Sequence, residues 1–267
     1  MLLAQYKQTR QYTESLCAPL NVEDYIPQAV DFTSPPKWHL AHTSWFFEEM
    51  ILTKFVAGYA VLDGHFTFLF NSYYQSVGEK AVRAQRGLIT RPTVEQVYQY
   101  RHYVDEHMVR LLSTDVSDEI KALVTLGINH EQQHQELLLT DLKYTLSLNP
   151  IYPVYRPDFN LVSQCSNAVE TPEQWLSIDE GVYEIGHADE SFCFDNERGR
   201  HKVYLQHFEI AACLVTNGEY IEFIESGGYT TFNYWLDDRE QANHVSFVLE
   251  MCARSVVLLY VGGAETH

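Results

Sequence analysis

Over the first 149 residues, apolar and polar positions follow one another as they do in helices, and five helical stretches are predicted. The first covers about residues 3–17. The second begins after Ser34-Pro35-Pro36, where a missing N–H costs little, and runs to about Phe55. A third lies around residues 72–85. The fourth starts at Thr93, whose Thr-Val-Glu-Gln sequence has a capping-box pattern, and ends near Leu112. The fifth begins near Ser117, with Asp118 and Glu119 favourably placed in the first turn, and stops at Asn149-Pro150. At 1.5 Å per residue that helix would be roughly 45 Å long. Long helices joined by loops suggest an antiparallel bundle. Pro150, Pro153, Pro157 and Pro172 then interrupt any helix, and residues 150–174 read as a linker. From about residue 175 the texture is turn-rich. Short β-like pieces (Gly181–Ile185, Val203–Phe208) and one helix (Asn217–Glu225) predict a mixed α+β domain. The expected organisation is a helical bundle over 1–149, a linker over 150–174 and a second domain over 175–267.

Charge narrows the partners. Thirty-six Asp and Glu against 18 Lys and Arg give a formal net charge of −18, which argues against nucleic acid and anionic membrane surfaces. Apolar residues make up 46%, enough for a real core. No stretch approaches the roughly 20 apolar residues of a membrane span, and the N-terminus turns polar too early for a secretory signal. The five scattered cysteines form no CxxC pair, which suggests reduced thiols in a cytoplasmic protein.

The chemistry concentrates in Asn129-His-Glu-Gln-Gln-His-Gln135. His130 and His134 are four apart, so both rings project from one helix face and could share a metal. Leu123, Gly127, Leu137 and Asp141 lie on that face, so the site is expected to open into the bundle. His42, in His39-Leu-Ala-His42, could add a third imidazole from a facing helix. His39 and the remaining histidines have no spacing that recommends them. HEQQH also fits HExxH, the zinc-peptidase helix in which the Glu is the general base. The extended HExxHxxGxxH form is absent, because Leu137 stands where the glycine should be.

Longer segments decide between these readings. Residues 34–48 (SPPKWHLAHTSWFFE), 69–78 (LFNSYYQSVG), 83–92 (RAQRGLITRP) and 126–141 (LGINHEQQHQELLLTD) together resemble the ergothioneine-biosynthesis sulfoxide synthases, whose first domain is a DinB-like bundle. Residues 181–186 (GVYEIG), 194–197 (FDNE), 207–210 (HFEI) and 215–223 resemble the formylglycine-generating-enzyme/sulfatase-modifying-factor fold, which follows the bundle in that family. The resemblance implies a mononuclear non-heme Fe(II) enzyme. It would use O2 to join the sulfur of cysteine or γ-glutamylcysteine to hercynine, giving a sulfoxide. It also implies His42, His130 and His134 as iron ligands, Arg83 and Arg86 as partners of the thiol substrate's carboxylates, and Gln133 as a contact of the hercynine imidazole. Glu131 receives no role from the resemblance and is expected either beside the ligands or facing solvent.

The likeness fades after Tyr234-Trp-Leu236. The tyrosine that delivers a proton in the family is expected further on, so no catalytic residue is assigned. The expectation is a truncated or frameshifted copy, out of register from about residue 237, whose activity as an enzyme is open. The rival functions are a DinB-like metal-dependent thiol transferase, an HExxH zinc peptidase and an inactive metal-binding remnant.

Overall fold

The computed structural model describes residues 1–72, 80–157, 174–231 and 234. The chain divides into two compact units, Met1–Pro157 and Asp158–His267. The fold is α+β as expected: helical first, with a sheet-containing part after it.

Four helices build the first unit: α1 (Leu2–Cys17), α2 (Pro36–Phe47), α3 (Val94–Leu112) and α4 (Asp118–Ser147). Helix α1 packs on α4, and α2 packs on both α3 and α4. The ends follow the local chemistry. Thr93 Oγ1 accepts the Gln96 N–H at 3.2 Å, and Gln96 Oε1 accepts the Thr93 N–H at 2.8 Å, closing the capping box of α3. Ser117 Oγ accepts from the Ile120 N–H at 3.4 Å to start α4.

All twelve residues of α2 are buried. A helix buried on every side is the central element of its bundle, and its polar side chains must then find internal partners. They do. Lys37 Nζ donates to the carbonyls of Ile89 (2.7 Å) and Pro92 (2.9 Å). Thr43 and Ser44 donate to backbone carbonyls one turn back and accept from Arg101 and Arg10 respectively. Beyond Phe47 the helix widens into a π turn, Glu48–Leu52, before a last α turn, Thr53–Phe55. The buried Glu48 carboxylate accepts from Tyr59 Oη (2.5 Å) and Tyr100 Oη (2.6 Å). Burial pushes its pKa up.

Gly127 sets the approach of α4 to α2. A Cβ added there would lie 2.4 Å from Phe47 Cε1 and 2.9 Å from Phe46 Cε1. Both rings are buried and cannot swing aside. Gly127→Ala should therefore destabilise by about 1–3 kcal/mol through overpacking, despite the better helix propensity of alanine. Thermal unfolding would show it, and an unchanged or raised Tm would contradict this account.

Three sequence expectations change. The stretch at 72–85 was expected to be helical. Residues 73–79 lie outside the described ones, and Arg83–Leu88 is a 3-10 helix; a short α-helical stretch lies earlier, at Phe66–Phe70. Leu137 is exposed rather than directed into the bundle. The strand expected at Val203–Phe208 is two strands, with Gln206 and His207 between them.

The second unit contains β1 (Trp175–Ile178), β2 (Gly181–Ile185), β3 (His201–Leu205), β4 (Phe208–Ala211) and α5 (Asn217–Glu225). Strand β1 pairs antiparallel with β4, Trp175 opposite Ala211; β2 pairs antiparallel with β3, Gly181 opposite Leu205. Asp195–Glu197 forms a 3-10 turn in which Glu197 accepts the Phe194 N–H, consistent with a structural loop. Most of the expected linker, residues 158–173, lies outside the described residues. So does the region after 231 apart from Tyr234, where the departure near 237 was placed.

Candidate metal centre

Helices α2 and α4 bring His42, His130 and His134 together. One ring nitrogen from each lies within 4.8 Å of the other two. A metal bound to imidazole nitrogens at about 2.0–2.1 Å would hold them roughly 3.0–3.4 Å apart, so a small closing movement would complete the set. No carboxylate joins this group among the described residues.

His42 is buried and His130 and His134 are half-buried, and desolvation is the main reason each proton affinity falls. The His130 pKa is lowered to about 4. His42 and His134 are also lowered, first by desolvation and then by neighbouring rings and Arg86. All three are therefore neutral near pH 7, the state in which imidazole offers a lone pair. His42 Nδ1 lies 2.5 Å from the Phe70 carbonyl, which can only accept, so this nitrogen carries the proton and Nε2 is the donor to a metal. The Nδ1 atom of His130 is buried without a hydrogen-bond partner among the described residues. An orphaned buried polar atom costs about 1–3 kcal/mol, and metal binding in the cluster is a natural reason for tolerating it. The donor set fits a first-row divalent metal.

Aromatic stacking braces one wall. Trp38 stacks on His42 with centroids 4.4 Å apart, and Trp45 lies on the other side at 5.5 Å. The Arg86 guanidinium sits 3.3 Å from the Trp38 ring centroid and donates to Ser34 Oγ (2.8 Å) and Ser72 Oγ (3.2 Å). Arg86 is buried beside the cluster, whereas Arg83 is exposed and donates to the Phe32 carbonyl. The two arginines thus occupy different environments. Gln133 is exposed on α4, next to His134 in the chain.

Glu131 differs most from expectation. It does not face solvent, and its carboxylate is held by two arginines. Its side chain is fully buried, and its oxygens accept from Arg10 Nη1 (2.9 Å), Arg101 Nη2 (2.6 Å) and Thr13 Oγ1 (2.6 Å). Despite desolvation, the two guanidinium groups hold its pKa down to about 2. Both carboxylate oxygens are thus committed to α1 and α3, which removes the general base that a zinc peptidase needs.

His39 was passed over in the sequence, yet it is buried with Nδ1 2.9 Å from His134 Nδ1. The His-x-x-His spacing of 39 and 42 was its visible signal, since residues three apart share a helix face.

Residues 5–138 match the family model of the DinB superfamily, half of the chain. The chain belongs to the DinB superfamily. This DinB-type bundle is followed by a match to the sulfatase-modifying factor enzyme 1-like domain over residues 161–256, which runs past position 237. Three curated relatives match parts of the chain. Ergothioneine biosynthesis protein 1 of Neurospora crassa is 25% identical over 145 residues, 50% of this chain and 16% of that protein. The hercynine oxygenase of Mycolicibacterium thermoresistibile is 33% identical over 115 residues, 41% and 24% of the two chains. That of Mycobacterium tuberculosis is 44% identical over 54 residues, 20% and 13%. The matches therefore span a quarter or less of each relative. The order of the two domain matches and the names of these relatives support the ergothioneine-biosynthesis family indicated by the sequence segments.

Proposed function

We propose that this chain serves ergothioneine biosynthesis, as an iron(II)-dependent, O2-consuming catalyst that joins the sulfur of cysteine or γ-glutamylcysteine to hercynine. The observation that carries the reading is the neutral cluster His42/His130/His134, with no carboxylate among its members. Imidazoles alone also suit zinc, copper and nickel, so the choice of iron rests on the resemblance of the sequence segments to the ergothioneine-biosynthesis sulfoxide synthases.

The overall change balances as thiol, imidazole C–H and O2 giving sulfoxide and water. Bound iron would supply the reduction of O2 and a place for the thiolate. The protein's part is to orient and to exclude water. His42, His130 and His134, carried by α2 and α4, would hold the metal, and convergence of the reactants on one centre would supply orientation. Arg86 would receive the thiol substrate's carboxylate, its planar fork exchanging the hydroxyls of Ser34 and Ser72 for a bidentate partner. Arg83 would act from the exposed side, and Gln133 would meet the hercynine imidazole.

The test is anaerobic loading with Fe(II), then exposure to O2 with hercynine and each thiol, followed by mass spectrometry. A sulfoxide whose formation requires both substrates and O2 is expected. Thiol transfer without O2 consumption would favour the transferase class, and stoichiometric iron binding without product would favour a metal-binding remnant. In the active protein, Arg86→Leu should raise KM for the thiol by about 10–100-fold, the worth of a charge-assisted hydrogen bond. A KM for the thiol unchanged by that substitution would remove Arg86 from substrate binding.

A further inference from the structure

Two groups beside the cluster have no part in the chemistry so far, His39 on α2 and Asp141 on α4. They form a chain with one ligand. Asp141 Oδ2 accepts the Ser34 N–H at 2.8 Å and lies 3.1 Å from His39 Nε2. His39 Nδ1 lies 2.9 Å from His134 Nδ1. His39 is 2% exposed, so solvent does not offer it other partners.

The direction of each hydrogen bond follows from the acceptor at the end. An ionised carboxylate only accepts, so His39 Nε2 must carry a proton. In a neutral imidazole the other nitrogen then bears the lone pair, and His39 Nδ1 becomes an acceptor. Of the two Nδ1 atoms facing each other, the proton must belong to His134. That leaves the lone pair of His134 on Nε2. The opposite arrangement would place a proton on His134 Nε2 and require a doubly protonated, charged His39 at a position closed to solvent. His42 reaches the same tautomer through the Phe70 carbonyl. Two of the three rings are thus set by the protein, one by a backbone acceptor and one by a side-chain relay.

We infer that Asp141 and His39 are positioning residues for the metal. They hold His134 in the tautomer with its lone pair on Nε2, fix its ring, and strengthen it as a donor to a divalent ion. Carboxylate or carbonyl partners behind a ligating histidine act in this way, and losing them typically weakens metal affinity by about 10–100-fold. Here the carboxylate works through an intervening imidazole, so the anchor can stand one ring further from the ion. The inference rests on the proposed metal centre.

Titration of the full-length chain with Co(II) under anaerobic conditions tests it, because the visible spectrum of Co(II) reports ligand geometry apart from turnover. His39→Phe and Asp141→Asn should each weaken Co(II) binding by about 10–100-fold and alter its visible bands. His39→Gln should recover part of the loss, since its amide oxygen can accept from His134 while its NH2 donates to Asp141. Should His39→Phe fail to fold, Asp141→Asn, on a carboxylate only 12% exposed but at the edge of the cluster, decides. Affinity within about twofold of wild type in the variants would overturn the inference and leave the metal centre standing. If the wild-type chain takes up no Co(II) or Fe(II), the metal centre fails and the positioning role with it.

Discussion

Glu131→Ala is expected to cost about 3–5 kcal/mol of stability, because it leaves Arg10 and Arg101 buried without their shared counter-charge. For a protein of this size that corresponds to a fall in Tm of about 6–20 °C. The geometry makes the loss unusually broad. Arg10 also reaches Asp105 (2.6 Å) and Ser44 (2.8 Å), and Arg101 reaches Glu14 (3.1 Å) and the Arg10 carbonyl (2.7 Å), so one carboxylate ties α1, α3 and α4 together around α2. Glu131→Gln should lose most of the same stability, since it keeps the shape and removes the charge. The acid limb gives an independent measurement. The Glu131 pKa is held at about 2 in the folded protein against an ordinary 4.5. A depressed folded pKa means that its contribution is fully present above 4.5 and disappears as the pH falls towards 2. That contribution is on the order of 3 kcal/mol. Wild-type stability should therefore decline through that window more steeply than that of Glu131→Gln. A stable Glu131→Gln that has lost only a hydrolytic activity would reverse this account and restore the peptidase reading.

The second large effect concerns the ligands. His42→Ala, His130→Ala and His134→Ala should each abolish tight Fe(II) binding, with losses beyond the roughly 100-fold expected for removing a supporting residue. Thermal shift reads the change without any assay of turnover. At a free metal concentration about 100 times Kd, wild-type stability should rise by about 2.7 kcal/mol, and that rise should vanish in each variant. Metal-free His130→Ala should also resist acid better than wild type. The His130 pKa is lowered from 6.5 to about 4, so the unfolded chain takes up a proton that the folded one refuses, and stability falls as pH drops through that range. Iron retained at wild-type affinity in His42→Ala would take that residue out of the set.

How much of this was legible in the sequence depends on whether the signal was local. The starts at Thr93 and Ser117 are written into three or four neighbouring residues, and they agree with the structure. The spacing of His130 and His134 is equally local. His42 needed a second helix: the residues offered it as a candidate, and the family segments singled it out. Glu131 was misplaced because its partners stand about 30 and 120 positions away in the chain, on α3 and α1, where no periodicity links them. Asp141 and His39 failed for the same reason: each is ordinary on its own helix and becomes informative only across the gap between α2 and α4. The helical stretch expected around 72–85 overlaps the 3-10 turn at Arg83–Leu88 only at its first residues.

His130 and Glu131 are consecutive, yet one belongs to the histidine cluster and the other to the arginine pair. A helix advances about 100° per residue, so α4 is locked in rotation from two sides at once, with Gly127 one turn earlier fixing its depth against Phe46 and Phe47. The two demands cannot be relaxed separately. A single-residue insertion between Gly127 and His130 would carry the imidazoles out of the cluster and a carboxylate away from two guanidinium groups in the same movement. Reading-frame-preserving changes in length should therefore be absent from this turn in working copies, whereas changes in side-chain size around it can be absorbed one position at a time.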